Sequence, residues 1–142
     1  MATLEERIAA IEDREAIREL TARYCQCVVT GRTAEIVDLF TEDGVMEFEE
    51  TQARGREALA ATYREAVSDL HPIPTVHNHI IDLSGDRATG FCSLELRTVE
   101  EGEAITAAGH YEDAFERVEG EWRFSHRKLI LYHRVPLSQG WA

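Results

Sequence analysis

Residues 75–96 read TVHNHIIDLSGDRATGFCSLEL, from Thr75 to Leu96. Strand-like stretches lie on both sides of Ser84-Gly85-Asp86-Arg87, so the segment predicts two antiparallel strands joined by a tight turn. The first strand carries His77 and His79 two residues apart, and side-chain alternation puts both on one face. Imidazole is the side chain whose unperturbed pKa lies nearest neutrality, so a histidine on a pocket-facing strand is ready for proton transfer. His77 is therefore the first candidate for a general base.

Downstream of this hairpin the strand period continues nearly to the end. Four strands fit, over 75–83, 88–99, 104–118 and 121–133, with further turns at Glu100-Glu101-Gly102 and Glu119-Gly120. Short turns between consecutive strands imply an antiparallel meander. Upstream the period is helical. Thr3 and Glu6 form a capping-box pattern ahead of Ile8, Ile11, Ile17, Leu20 and Tyr24, which predicts a long first helix running to Val28 and broken at Gly31. Thr33 opens a short second helix carrying Ile36, Val37, Leu39 and Phe40, ended by Glu42-Asp43-Gly44. A strand over 45–49 follows, then a third helix over 56–69 closed by His71-Pro72-Ile73-Pro74. Helices gathered at the front and strands at the back predict an α+β domain whose curved sheet wraps the helices and encloses a conical pocket.

The chain has 142 residues, enough for one compact domain over 1–142. Hydrophobic residues make up 44% and charged residues 30%, and no apolar run reaches membrane-spanning length, so neither disorder nor a membrane location is expected. The 15 Lys and Arg against 27 Asp and Glu give a net charge of -12, which disfavours nucleic acid and anionic lipid as partners. The three cysteines, Cys25, Cys27 and Cys92, lack metal-site spacing, and Cys25 and Cys27 are too close for an ordinary bridge; reduced thiols in a cytoplasm fit them. The acidic, amphipathic N-terminus is unlike a secretion signal. His110, His126 and His133 add to His77 and His79 without the spacing of a metal site, so no metal is expected.

Three segments together resemble a known family: IEDREAIRELTARYCQCVVTGRTAEIVDLFTEDGVMEF (11–48), TVHNHIIDLSGDRATGFCSLELR (75–97) and GHYEDAFERVEGEWRFSHRKL (109–129). In order and content they resemble the SnoaL-like group of the nuclear transport factor 2-like superfamily, nearest to its branch of scytalone dehydratase, bile-acid 7α-dehydratase and hexachlorocyclohexane dehydrochlorinase. The resemblance implies a cone-shaped α+β barrel, with three N-terminal helices in the concavity of a curved, mostly antiparallel sheet. It also implies cofactor-free lyase or isomerase chemistry of the dehydratase kind on a small hydrophobic, cyclic, oxygenated metabolite.

By the same resemblance His77 takes the place of the general base, and Tyr24, in the Arg23-Tyr24 pair, that of a polarising or acid group. Arg127, a few residues after Trp122, takes the place of an arginine that stabilises a leaving anion. The branch carries an aspartate soon after the tyrosine, where it pairs with the histidine; this chain has Val29 there. Asp113 is the acidic substitute nearest to hand, and a salt bridge to Arg127 or Arg117 explains it equally well. The family register turns Cys92, Leu94 and Leu96 inward on one strand and Gly109 and Tyr111 on the next. Met46 and Phe48 from the first strand, with Cys25, Val28 and Val29 from the opening helix, complete the expected pocket wall, although an ordinary core has the same pattern. Leu137 and Trp141 suit a lid or an intersubunit contact, and families of this fold associate as dimers or trimers, so a homo-oligomer is expected. With Val29 replacing the aspartate, two further readings stand beside the lyase: a non-catalytic small-molecule binding protein, and a small subunit like the dioxygenase β subunit.

Overall fold

Thr3 caps the first helix as the sequence predicts. Its hydroxyl oxygen accepts from the Glu6 N–H at 3.1 Å, and the Glu6 carboxylate accepts from the Thr3 N–H at 2.7 Å. The computed structural model, which covers Met1 to Ala142, runs this helix as α1 over Leu4–Thr30. Gly31 ends it in the left-handed region at φ 70°, a conformation that glycine adopts at no steric cost. Burial along α1 begins only at Ile17 and continues through Leu20, Thr21, Tyr24, Cys27 and Val28. Leu4, Ile8 and Ile11 stay exposed.

α2 is shorter than expected, Thr33–Asp38, and Arg32 rather than Thr33 stands at its N-cap. The chain becomes strand β1 at Phe40–Phe48, and Phe40 enters the core from that strand rather than from a helix. A hairpin through Glu49, at φ 55°, returns as β2, Thr51–Arg54, a strand that the sequence pattern does not predict. α3 follows at Gly55–Leu70 and presents Leu59 and Tyr63 to the interior. The long strands are β3 (Ile73–Ser84), β4 (Arg87–Glu100), β5 (Glu103–Val118) and β6 (Glu121–Pro136), each within a few residues of its expected bounds.

All six strands form one sheet in the order β2-β1-β6-β5-β4-β3. The last four strands pair antiparallel as a meander, and β1 joins β6 in parallel. The sheet is curved but does not close into a barrel, since β2 and β3 are its two free edges. Its concave face holds the core, including Phe40, Phe115 and Phe124 against Tyr24 and Tyr63 of the helices. No helix is long and apolar enough to cross a membrane.

Candidate functional site

Strand pairing arranges the concave face in rows. Pro74, Leu96, Ala107 and Arg134 form one; Val76, Leu94, Gly109 and Leu131 the next; His79, Cys92, Tyr111 and Leu129 a third; and Gly90, Asp113, Arg127 and Met46 a fourth. α1 and α3 cover these rows and leave a cavity of about 250 Å³ between them and the sheet. That exceeds the ~150 Å³ apolar cavity known to hold benzene. Val28 of α1, Val67 and Leu70 of α3, and Met46, Phe48 and Leu129 of the sheet give it an apolar wall.

The polar groups in the wall are few. The Tyr24 and Tyr63 hydroxyls hydrogen-bond each other at 2.9 Å, and Tyr111 lies edge-on to Tyr24. Burial raises the pKa of Tyr24, opposed by Arg127, and raises those of Tyr63 and Tyr111 well above the usual phenol value. All three are therefore protonated, neutral donors at physiological pH. Thr51, Thr62 and Thr98 add hydroxyls, and Arg134, paired with Glu100, is the single charged side chain in the wall.

Six of the residues expected in the cavity are there: Tyr24, Val28, Met46, Phe48, Leu96 and Tyr111. Others stand elsewhere. Val29, one helical step of about 100° beyond Val28, points outward and is 53% exposed. Cys25, Cys92, Leu94 and Gly109 do not reach the cavity; Cys92 and Leu94 are packed into the core, and the Gly109 backbone lies under the Ile130 carbonyl.

His77 is the main correction. The pairing of β3 with β4 slips between Val76, opposite Leu94, and His79, opposite Cys92, so His77 and Asn78 together occupy a bulge. The slip breaks alternation, and His77 and His79 end on opposite faces. The His77 side chain is 46% exposed and its Nε2 lies 3.2 Å from Glu95 on the outer face. The β3 residue that reaches the cavity is Pro74, which has no chemistry to offer.

His79 takes the inward position, outside the cavity, beside Gly90 and Phe115. Its Nε2 is buried with no partner, and burial, reinforced by Arg127 and Arg18, lowers its pKa to about 4. The ring is neutral at physiological pH.

Asp113 and Arg127 form the buried pair that the sequence left open. Arg127 Nε donates to Asp113 Oδ1 at 2.9 Å and Nη2 to Oδ2 at 3.1 Å, both side chains being fully buried. The guanidinium stacks 3.6 Å from the Tyr111 ring centre and 4.3 Å from that of Tyr24. Burial pushes the Asp113 carboxyl above its ordinary value against the pull of Arg127. Burial also works against the Arg127 charge, but Asp113 outweighs it and keeps the guanidinium protonated. The pair stands behind the tyrosines and does not line the cavity. Arg117 is engaged elsewhere, with Asp13 and Asp86. No group of three His, Cys, Asp or Glu residues is placed to hold a metal ion.

Tyr63, Thr98 and Arg134 were missed. Thr98 continues the inward series Cys92, Leu94, Leu96, which is the signal that locates it; Tyr63 reads from sequence only as a helix core position.

Helices cradled by a curved, open sheet around an internal cavity are the architecture of nuclear transport factor 2-like proteins. Within that class the chain belongs to the SnoaL-like domain family, whose pattern matches residues 9–128. No curated protein matches the chain. Among solved structures it is similar to a protein of unknown function from Mycobacterium tuberculosis, at 26% identity over 92% of this chain and 76% of that one, with a TM-score of 0.80. It is similar in fold to a hexachlorocyclohexane dehydrochlorinase, at 19% identity over 92% and 93% of the two chains and a TM-score of 0.86. A provisionally assigned scytalone dehydratase from Novosphingobium aromaticivorans matches at 21% identity over 89% of both chains, with a TM-score of 0.83.

Proposed function

We propose that the cavity binds a small hydrophobic metabolite bearing an oxygen, and that Tyr24 and Tyr63 hold that oxygen without proton abstraction by a histidine. One observation carries this reading: the wall contains no histidine, cysteine, aspartate or glutamate. Its hydroxyls are phenols and threonines, which donate hydrogen bonds readily and are poor bases at neutral pH. A mostly apolar cavity with a few convergent polar groups is the usual form of a small-molecule site.

The dehydratase and dehydrochlorinase among the structural neighbours favour a second reading, a lyase or isomerase. In that case the tyrosines act as the acid side of the chemistry, polarising a carbonyl or a departing hydroxyl.

Calorimetric titration with 4-phenylphenol tests the first reading. Tyr63→Phe is expected to weaken binding by roughly five- to tenfold, the ~1–1.4 kcal/mol of one hydrogen bond, while His77→Ala leaves it unchanged. Failure of 4-phenylphenol to bind, or turnover of any oxygenated cyclic substrate that disappears in His77→Ala, would overturn it. Turnover that survives His77→Ala but is lost in Tyr24→Phe would establish the second.

A further inference from the structure

We propose that the outward face of α1 is a docking surface for a second copy of this chain, the two helices running antiparallel with Glu15 of each copy against Arg18 of the other. The inference is independent of the cavity and of what it binds.

α1 is apolar on two opposite sides. Its core side carries Ile17, Leu20, Tyr24 and Val28. Leu4, Ile8, Ile11, Ala22 and Val29 lie together on the far side, about 150° round the helix at ~100° per residue. They face solvent, with Leu4 69%, Ile11 67% and Val29 53% exposed. A surface helix ordinarily carries one apolar stripe, toward its own core, so packing within the monomer does not account for a second one along its whole length. Val29, expected in the cavity wall, is the last residue of that stripe.

The spacing of the stripe suits another helix. Positions 4, 8, 11, 15, 18, 22, 25 and 29 alternate steps of four and three, which keeps a seam turned toward a partner helix. Glu15 and Arg18 occupy its middle. Both are exposed and neither is ion-paired within the chain, whereas nearby Glu19 and Asp13 are paired with Arg23 and Arg117.

The seam is also complementary to itself when reversed. A two-fold axis between Glu15 and Arg18 sets Leu4 against Val29 of the partner subunit, Ile8 against the partner's half-buried Cys25, and Ile11 against the partner's Ala22, so that the larger side chain always meets a smaller one. The same axis sets each Glu15 against an Arg18. A parallel pair would instead oppose Glu15 to Glu15 and Arg18 to Arg18, like charges at the centre of the contact.

Size sets the strength of this contact. The 27 residues of α1 are about 40 Å long, and a seam ~12 Å wide buries roughly 1,000 Å² over two copies, below the usual range of stable interfaces. Glu12 and Glu19 run along one edge of the stripe and oppose the approach of a second acidic copy. The dimer is therefore of the weak, reversible kind, with a dissociation constant of roughly 10–100 µM.

The test is sedimentation equilibrium of the whole protein from about 5 to about 500 µM, a range that brackets such a constant. A monomer–dimer equilibrium is expected. Ile8→Glu/Ile11→Glu should abolish it, with a thermal melt showing the fold intact, while Ile80→Glu, at a comparably exposed isoleucine of β3, leaves it unchanged. Glu15→Arg and Arg18→Glu should each weaken it by about tenfold or more, and an equimolar mixture of these two variants should associate at least as well as the natural chain, because every seam charge then meets its opposite. A monomer across the whole range overturns the inference, whether or not the stripe binds phosphatidylcholine vesicles. So does a dimer that is lost in Ile80→Glu and kept in the α1 variants, or one that Glu15→Arg leaves unchanged.

Discussion

Arg127 keeps its charge in the middle of an aromatic box, between the rings of Tyr24, Tyr111 and Phe124, because Asp113 meets it with both carboxylate oxygens. Two charges this deep gain from each other about what they lose in hydration, so removing one partner is far worse than removing both. Arg127→Met, which strands the Asp113 carboxyl, is expected to lower unfolding stability by about 3–5 kcal/mol in urea titration, with Arg127→Met/Asp113→Leu recovering most of it. His79 makes the opposite statement, a basic group buried without a partner. Its folded pKa of about 4 lies below the ordinary 6.5, so between those values the unfolded chain binds the proton and the folded one does not. Stability from His79 is complete above pH 6.5 and lost as the pH falls toward 4. Melting curves from pH 7 to 4 should show a shallower decline in His79→Leu than in the natural sequence; equal slopes would mean that the ring titrates freely.

At the scale of elements, the β5–β6 hairpin depends on a close backbone approach. The pairing slips between Ala108 and Gly109, and a Cβ on Gly109 would sit 1.9 Å from the Ile130 carbonyl oxygen. Backbone cannot step aside as a side chain can, so Gly109→Ala is expected to cost at least the ~1–3 kcal/mol of an overpacked core, read as a drop in melting temperature. Elements of this kind mark the limit of sequence reading. Period and turn residues located α1, α3 and the four long strands, because those signals are local. The β1–β2 hairpin escaped because Glu49-Glu50 has none of the usual turn residues, Glu49 being held at positive φ by its context. The bulge at His77-Asn78 escaped for a deeper reason. Register belongs to a pair of strands, and one extra residue in β3 turned the expected base outward while bringing His79 in. About a third of the cavity wall, six of its 19 residues, was legible in the sequence; the catalytic reading of His77 depended on the one position where alternation stops.

Over the whole molecule, the sheet supplies one wall of the cavity and α1 and α3 the other, so a ligand of the kind proposed would bridge layers held together mainly by apolar packing. Under the proposed function, binding is expected to raise the melting temperature by mass action, adding about 2.7 kcal/mol at a hundred times the dissociation constant.

The parallel seam between β1 and β6 has a consequence for how the chain comes into being. β1 hydrogen-bonds only to β2 and to the last strand, and Arg123 of β6 donates to the carbonyl of Asp38, 85 residues earlier. During synthesis the first third of the protein can form helices, but the surface that Phe40 and Val45 pack into is incomplete until β6 has left the ribosome. The nascent chain thus holds one edge of β1 open until β6 has been made, and the seam that completes the sheet cannot close before then.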